Sequence, residues 1–157
     1  MIVGIDPGLT GAVAFLSGDG PMVEDLPVIA NGTNAKVKNV INGAALASLL
    51  RPYVGDIQMA YVEKVSTMPG QGVASNGSLM HSAGVIDGVL STLGIPVVLV
   101  SPGKWKRAMG LTTDKEASRA TAQRLFPTMP LARKKDHNRA EALLLAEYGR
   151  SLLKEKA

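Results

Sequence analysis

The chain has 157 residues, 46% of them hydrophobic, with no Cys and a formal net charge of +4. A chain of this length buries roughly 68–70% of its unfolded surface without staples, so the expectation is one domain over residues 1–157, folded without disulfides. No apolar run reaches the ~20 residues of a bilayer span and no basic-then-apolar leader is visible, so no membrane partner is expected and a cytoplasmic protein is.

In chain order, Met1–Asp6 and Gly11–Leu16 are apolar strands separated by a Gly-rich turn. Met22–Ile29 follows Gly18-Asp19-Gly20-Pro21, which predicts an antiparallel meander of three strands. The stretch from Gly32 to Asn42 reads as a loop to which no chemistry is assigned. Ala44, Ala45, Leu46, Leu49 and Leu50 fall at helical spacing within a helix over Asn42–Tyr53, and Ile57–Val65 is another apolar strand. A helix over Val73–Leu93, a strand over Ile95–Val100, a helix over Thr113–Phe126 and a last helix over Asp136–Lys154 complete the series. Thr113 and Glu116 have the spacing of a capping box, and Lys115, Arg119 and Arg124 are expected to face solvent or phosphate. The order βββαβαβαα implies an α/β fold, a mixed sheet flanked by helices.

Three acidic residues are candidates for a shared site, each with a plainer alternative of its own. Asp6 ends an apolar strand immediately before Pro7-Gly8, which puts it at a sheet rim, although Asp-Pro-Gly by itself also serves as a plain turn. Glu63 lies inside the apolar strand YVEKV, on the face of Ile57, Met59 and Tyr61. Lys64 points to the other face and cannot pair with it, so the alternatives are a cation ligand or a surface glutamate. Glu141 heads the stripe Glu141, Leu144, Leu145, Tyr148 and Leu152, the core-facing side of the last helix. Asp136 and His137 sit at the start of that helix, where Asp136 also suits an N-cap and His137 a capping or surface role.

Oxygen ligands of this kind suit magnesium, and the lack of Cys or a His pair disfavours zinc. Two such ions about 3.5–4 Å apart serve phosphodiester hydrolysis. The charge is split to match: residues 1–103 hold 4 Lys+Arg against 7 Asp+Glu, and residues 104–157 hold 13 against 6. A basic surface beside an acidic pocket is the electrostatic layout of a nuclease, with solubility as the plain alternative for the basic half.

The segments IVGIDPGLTGAVAF, YVEKV, QGVASNGSLMHSAGVIDGVL, SPGKWKRAMGL, KEASRATAQRLFP and DHNRAEALLLAEYGR, in this order, resemble the RuvC-type Holliday junction resolvases of the RNase H-like superfamily. The resemblance runs from Met1 to about Arg150, with a phage or prophage origin as the expectation and hence the host cytoplasm. It implies an RNase H-like α/β fold with a five-stranded mixed sheet. It also implies a homodimer that uses Mg2+ or Mn2+, two ions per site, to nick four-way DNA junctions and other branched DNA.

By position it assigns Asp6, Glu63 and Glu141 as catalytic metal ligands. The family's fourth ligand falls on Asn138, which carries no charge, so Asp136 is the preferred replacement, His137 the second choice and a cap-only Asp136 the alternative. The aromatic wedges of such proteins fall on Gly77 and Leu79, which leaves Gln71, Asn76 and Ser78 as phosphate contacts in that region. Lys104, Lys106, Arg107, Lys134 and Lys135 are the expected DNA contacts, with Trp105 a buried anchor rather than a base stacker. The VIDGVL segment would contribute to the dimer interface, with core packing as its alternative.

Two other functions fit parts of the sequence. A non-catalytic junction-binding module is suggested by Asn138 and Gly77. A nucleotide-binding protein related to sugar kinases and ATPases is suggested by GIDPGLTG alone, without room for a second lobe.

Overall fold

In the computed structural model, residues 1–32, 38–67, 70 and 72–155 are described. Strands β1 (Ile2–Asp6), β2 (Ala12–Ser17), β3 (Gly20–Asp25), β6 (Met59–Glu63) and β7 (Val97–Val100) form a five-stranded mixed sheet of order β3-β2-β1-β6-β7. The β1, β2 and β3 pairings are antiparallel, and β1, β6 and β7 run parallel to one another. Strands β4 (Val28–Asn31) and β5 (Lys38–Ile41) form a separate antiparallel pair.

Period-two alternation divides the core. Val3, Ile5, Val13, Phe15, Ala60 and Val62 pack on one face of the sheet beneath α1 (Gly43–Leu50) and α2 (Val73–Thr92). Ile2, Ala12, Ala14, Leu16 and Tyr61 pack on the other face with α5 (His137–Lys154), together with Trp105 of α3 (Pro102–Ala108) and residues of α4 (Lys115–Leu125). Helix α5 lies so close to β1 that a Cβ on Gly4 would run into the backbone of Ala142 and Ala146. Only glycine permits that approach.

Several elements differ from the sequence reading. The expected strand over Met22–Ile29 is broken at Leu26-Pro27, because Pro27 cannot donate to a continued ladder; its second half pairs with β5. Part of the expected loop between Gly32 and Asn42 is therefore a strand, and positions 33–37 lie outside the described residues. Ile57 precedes β6 and packs with the α1/α2 cluster, not on the face of Tyr61. Helix α4 is capped by Asp114, whose Oδ1 accepts from the Glu116 amide at 3.0 Å, rather than by Thr113. Helix α3 was not expected; Pro102 at its first turn is where a helix tolerates proline. Among the described residues no helix is long and apolar enough to cross a membrane.

Candidate active site

Asp6 is the last residue of β1 and Glu63 the last of β6. Because these strands are parallel neighbours in the register Ile5↔Val62, both carboxylates emerge at the same edge of the sheet. The chain can reverse directly after Asp6 because Gly11 has no side chain: a Cβ there would collide with the Asp6 carbonyl. The close contact of α5 with Gly4 brings Glu141 over the same edge. Asp6, Glu63 and Glu141 all line one groove of about 970 Å³, together with Thr10, Asn138, Lys106, Lys115 and the α2 residues Ser75, Ser78 and Ser82.

The electrostatics of the groove are those of crowded acids. Burial raises the Asp6 carboxyl well above the ordinary aspartate range, with repulsion from Glu63 and Glu141 adding to it and Lys115 and Lys106 opposing it. Burial also raises Glu63, countered first by a hydrogen bond from Trp105, with Glu141 pushing up and Lys106 and Lys115 pulling down. Helix α3 supplies adjacent residues to two of the acids: Trp105 Nε1 donates to Glu63 Oε2 at 2.7 Å, and Lys106 Nζ pairs with Glu141 Oε1 at 2.6 Å. Lys106 therefore sits on a carboxylate, 13% exposed, and is not turned outward as the expected phosphate contact.

Asp136 does not join this groove. Its Oδ2 accepts the Arg133 backbone amide at 2.8 Å, and the Arg133 guanidinium reaches both its oxygens. Arg139 stands 3.8 Å away. The Arg133 guanidinium accordingly holds the Asp136 carboxyl below its ordinary value. The expectation that Asp136 supplies a fourth ligand is corrected on this ground: Asp136 closes the short 3-10 turn Lys134–Asp136 ahead of α5, and its lone pairs are engaged by guanidinium and amide. His137 is also turned aside. Its Nδ1 meets the Lys134 carbonyl at 3.1 Å and its Nε2 meets Lys115 Nζ at 3.2 Å, so Nδ1 carries the proton and Nε2 accepts. Asn138 is the residue of this segment that lines the groove, with its Nδ2 donating to the Thr10 carbonyl at 2.6 Å and to Thr10 Oγ1 at 2.9 Å.

The basic residues lie around this centre. Lys134 and Lys135 are exposed and line a shallow depression with Lys115 and His137, beside the acidic groove. Lys104 and Arg107 are exposed on α3. Lys115, expected to face solvent or phosphate, is shared between groove and depression. Arg119 is instead tied to Glu116 and to the carbonyls of Leu131 and Ala132. Ser78 lines the groove and Gln71 lies outside the described residues.

Among the described residues no three His, Cys, Asp or Glu side chains are gathered tightly enough to hold a metal ion as they stand. The donor set nonetheless fits a hard divalent cation. Three carboxylates on separate elements face one groove, and two of them have raised proton affinity through burial and mutual repulsion, which a divalent charge relieves.

No protein-family model matches the chain. The chloroplastic Holliday junction resolvase MOC1 of Chlamydomonas reinhardtii is 37% identical over 113 residues, a stretch that makes up 67% of this chain and 13% of that relative. Two structures of Thermus thermophilus RuvC superpose along nearly the whole chain. One, in complex with a Holliday junction substrate, has a TM-score of 0.63 at 15% identity and covers 98% of this chain and 95% of its own. The other has a TM-score of 0.61 at 18% identity and covers 99% and 96%. The chain is thus homologous, over 67% of its length, to a Holliday junction resolvase, and its fold is that of RuvC.

Proposed function

We propose that this chain is a structure-specific endonuclease that cuts four-way DNA junctions by divalent-cation-dependent hydrolysis of phosphodiesters. The observation that carries the reading is the convergence of Asp6, Glu63 and Glu141 on one groove that Lys106 and Lys115 also line. Homology to a resolvase supports it, although the chain spans only 13% of that relative's length.

In this reading Asp6, Glu63 and Glu141 hold Mg2+ or Mn2+, two ions per site. The ions supply an activated water and stabilisation of the leaving oxygen. The protein does the rest with its own groups. Asp6 is fixed at a strand end in the core and cannot swing away. Lys106 neutralises Glu141 in the cation-free groove and, released from it, becomes a cation directed at the phosphate. Lys115, steadied by His137 Nε2, stands at the boundary between the acidic groove and the basic depression, a position that aligns the backbone of an entering strand. Asn138 offers a neutral amide where a charge would add to the crowding, and its bonds to Thr10 tie the start of α5 to the turn after Asp6. Lys104, Arg107, Lys134 and Lys135 give the flanking duplex arms sequence-independent contacts.

A homodimer completes this reading. Met80 and Leu99 are 48% and 61% exposed, and they border an apolar cavity of about 320 Å³ between α2 and the β6/β7 edge. A second copy of the chain seated there would match the two-fold symmetry of a four-way junction. Leu99→Asp would leave a monomer by analytical ultracentrifugation, and a monomeric wild type would overturn this part.

Purified chain is expected to nick a labelled four-way junction with Mg2+ or Mn2+, and Glu63→Gln to bind the junction without cutting it. An intact junction after incubation with either metal, despite tight binding, would favour the second reading, a non-catalytic junction binder. The pairing of Glu141 with Lys106 is the observation that speaks for that alternative.

A further inference from the structure

We infer that Trp105 is a positioning residue for Glu63: its indole N–H holds Oε2 of the carboxylate, so that Glu63 meets a cation through Oε1 in one fixed orientation. The inference rests on the reading of Glu63 as a cation ligand and adds to it the group that orients that ligand.

The indole cannot serve DNA directly. Trp105 is 0% exposed and packed in the α5-side core, out of reach of any base. An indole nitrogen only donates, and once buried it requires an acceptor. The acceptor it has is a carboxylate far away in sequence, at 2.7 Å, a length typical of a charge-assisted hydrogen bond. The topology explains the meeting. Strand β7 runs parallel to β6, and the Lys64 amide donates to the Val100 carbonyl at 2.8 Å, which holds the two strand ends level. Ser101 and Pro102 then turn the chain into α3, whose second turn places Trp105 over the end of β6.

A packing anchor alone would explain the burial of Trp105 but not the choice of partner. Glutamate has three side-chain torsions to freeze, and at a strand end its own backbone fixes none of them. The ring is wedged in the core, so the hydrogen bond transfers that rigidity to Oε2. Lys106, the next residue, lies 5.3 Å from the Trp105 ring centroid while pairing with Glu141. The same short helix therefore contacts two of the three acids. Groups that orient a ligand in this way typically carry tenfold to hundredfold in metal affinity.

Trp105 is the only tryptophan of the chain, so its emission reports on its own hydrogen bond. Trp105→Phe keeps a ring in the core and removes the donor. Calorimetric titration with Mn2+ is expected to show binding roughly ten to a hundred times weaker in Trp105→Phe than in the wild type. Junction cleavage should return toward the wild-type rate at saturating Mn2+, so that the loss lies in the metal requirement and not in turnover. In the wild type, Mg2+ should shift the tryptophan emission along a saturable curve that Glu63→Gln abolishes. Folded Trp105→Phe with wild-type Mn2+ affinity would overturn the inference and leave the nuclease reading standing. Wild type that binds no Mn2+ would overturn both. If Trp105→Phe does not fold, the emission of the wild type decides: a Mg2+-induced shift that Glu63→Gln lacks supports the inference, and its absence overturns it.

Discussion

Two acidic regions, built from the same residue types, are handled in opposite ways. At the sheet edge, Asp6, Glu63 and Glu141 crowd one groove, and burial with mutual repulsion raises Asp6 and Glu63. Around the start of α5, each acid has its own guanidinium. Arg139 holds Asp25 with two bonds of 2.6 Å, Arg133 holds Asp136, and both carboxyls are lowered. The second region secures the position of α5 against β3. The first keeps negative charge concentrated against burial and repulsion, a cost that the cation of the proposed function would relieve.

The sharpest way to break this contrast is to neutralise one acid in each region. Glu63→Gln should lower junction cleavage on the order of a thousandfold or more, measured at saturating junction, with little change in binding. Asp136→Asn should leave the cleavage rate within a few-fold of wild type, and a loss as deep as that of Glu63→Gln would return Asp136 to the site.

Stability should move the other way. In the absence of divalent cation at pH 7, Asp6→Asn should stabilise the fold by about 0.5–2 kcal/mol in urea unfolding, because it removes a charge held in the core beside two others. Asp136→Asn should destabilise by about 1 kcal/mol through loss of its charge-assisted bonds.

The pH dependence sharpens the same comparison. Asp25 and Asp136 have lowered carboxyls, so their contribution is present above the unfolded aspartate value of about 3.9 and is lost as pH falls through their folded values. Asp6 is raised, so in the cation-free protein its cost is absent below the unfolded value and grows as pH rises toward the folded one. The stability gain of Asp6→Asn should therefore shrink toward zero in acid, whereas the loss from Asp136→Asn should shrink there too, from the opposite sign. Urea midpoints at several pH values check both.

The smallest effect concerns the basic rim. Neutralising Lys134 or Lys135 should weaken junction binding evenly across sequences and reduce the log-log salt slope by about 1 each. With six phosphates neutralised, the wild-type slope should lie near −5.

Period and strand ends made the acidic edge legible in the sequence. Tyr61 and Glu63 share a face by simple alternation, and the stripe from Glu141 to Tyr148 is buried as expected, although α5 is in fact buried on every side from Ala140 to Ala146. What was not legible depended on contacts between distant segments. Asp136 reads as a ligand because it is a carboxylate at the helix start near Glu141, and nothing in the sequence tells that the Arg133 guanidinium turns onto it. Lys106 looked like a surface cation because nothing in SPGKWKRAMG reveals that α3 stands opposite Glu141. The break at Leu26-Pro27 was visible as a proline, but only the pairing of β4 with β5 shows why the chain leaves the main sheet there.

The three acids come from the first strand, a middle strand and the final helix. During synthesis, the ribosome releases Asp6 and Glu63 long before α5 exists, and α5 contributes the layer that covers β1 as well as the third carboxylate. A chain still lacking α5 therefore carries two of the three groove carboxylates but not the third. In the proposed reading, the cation centre is complete only once α5 has packed against β1.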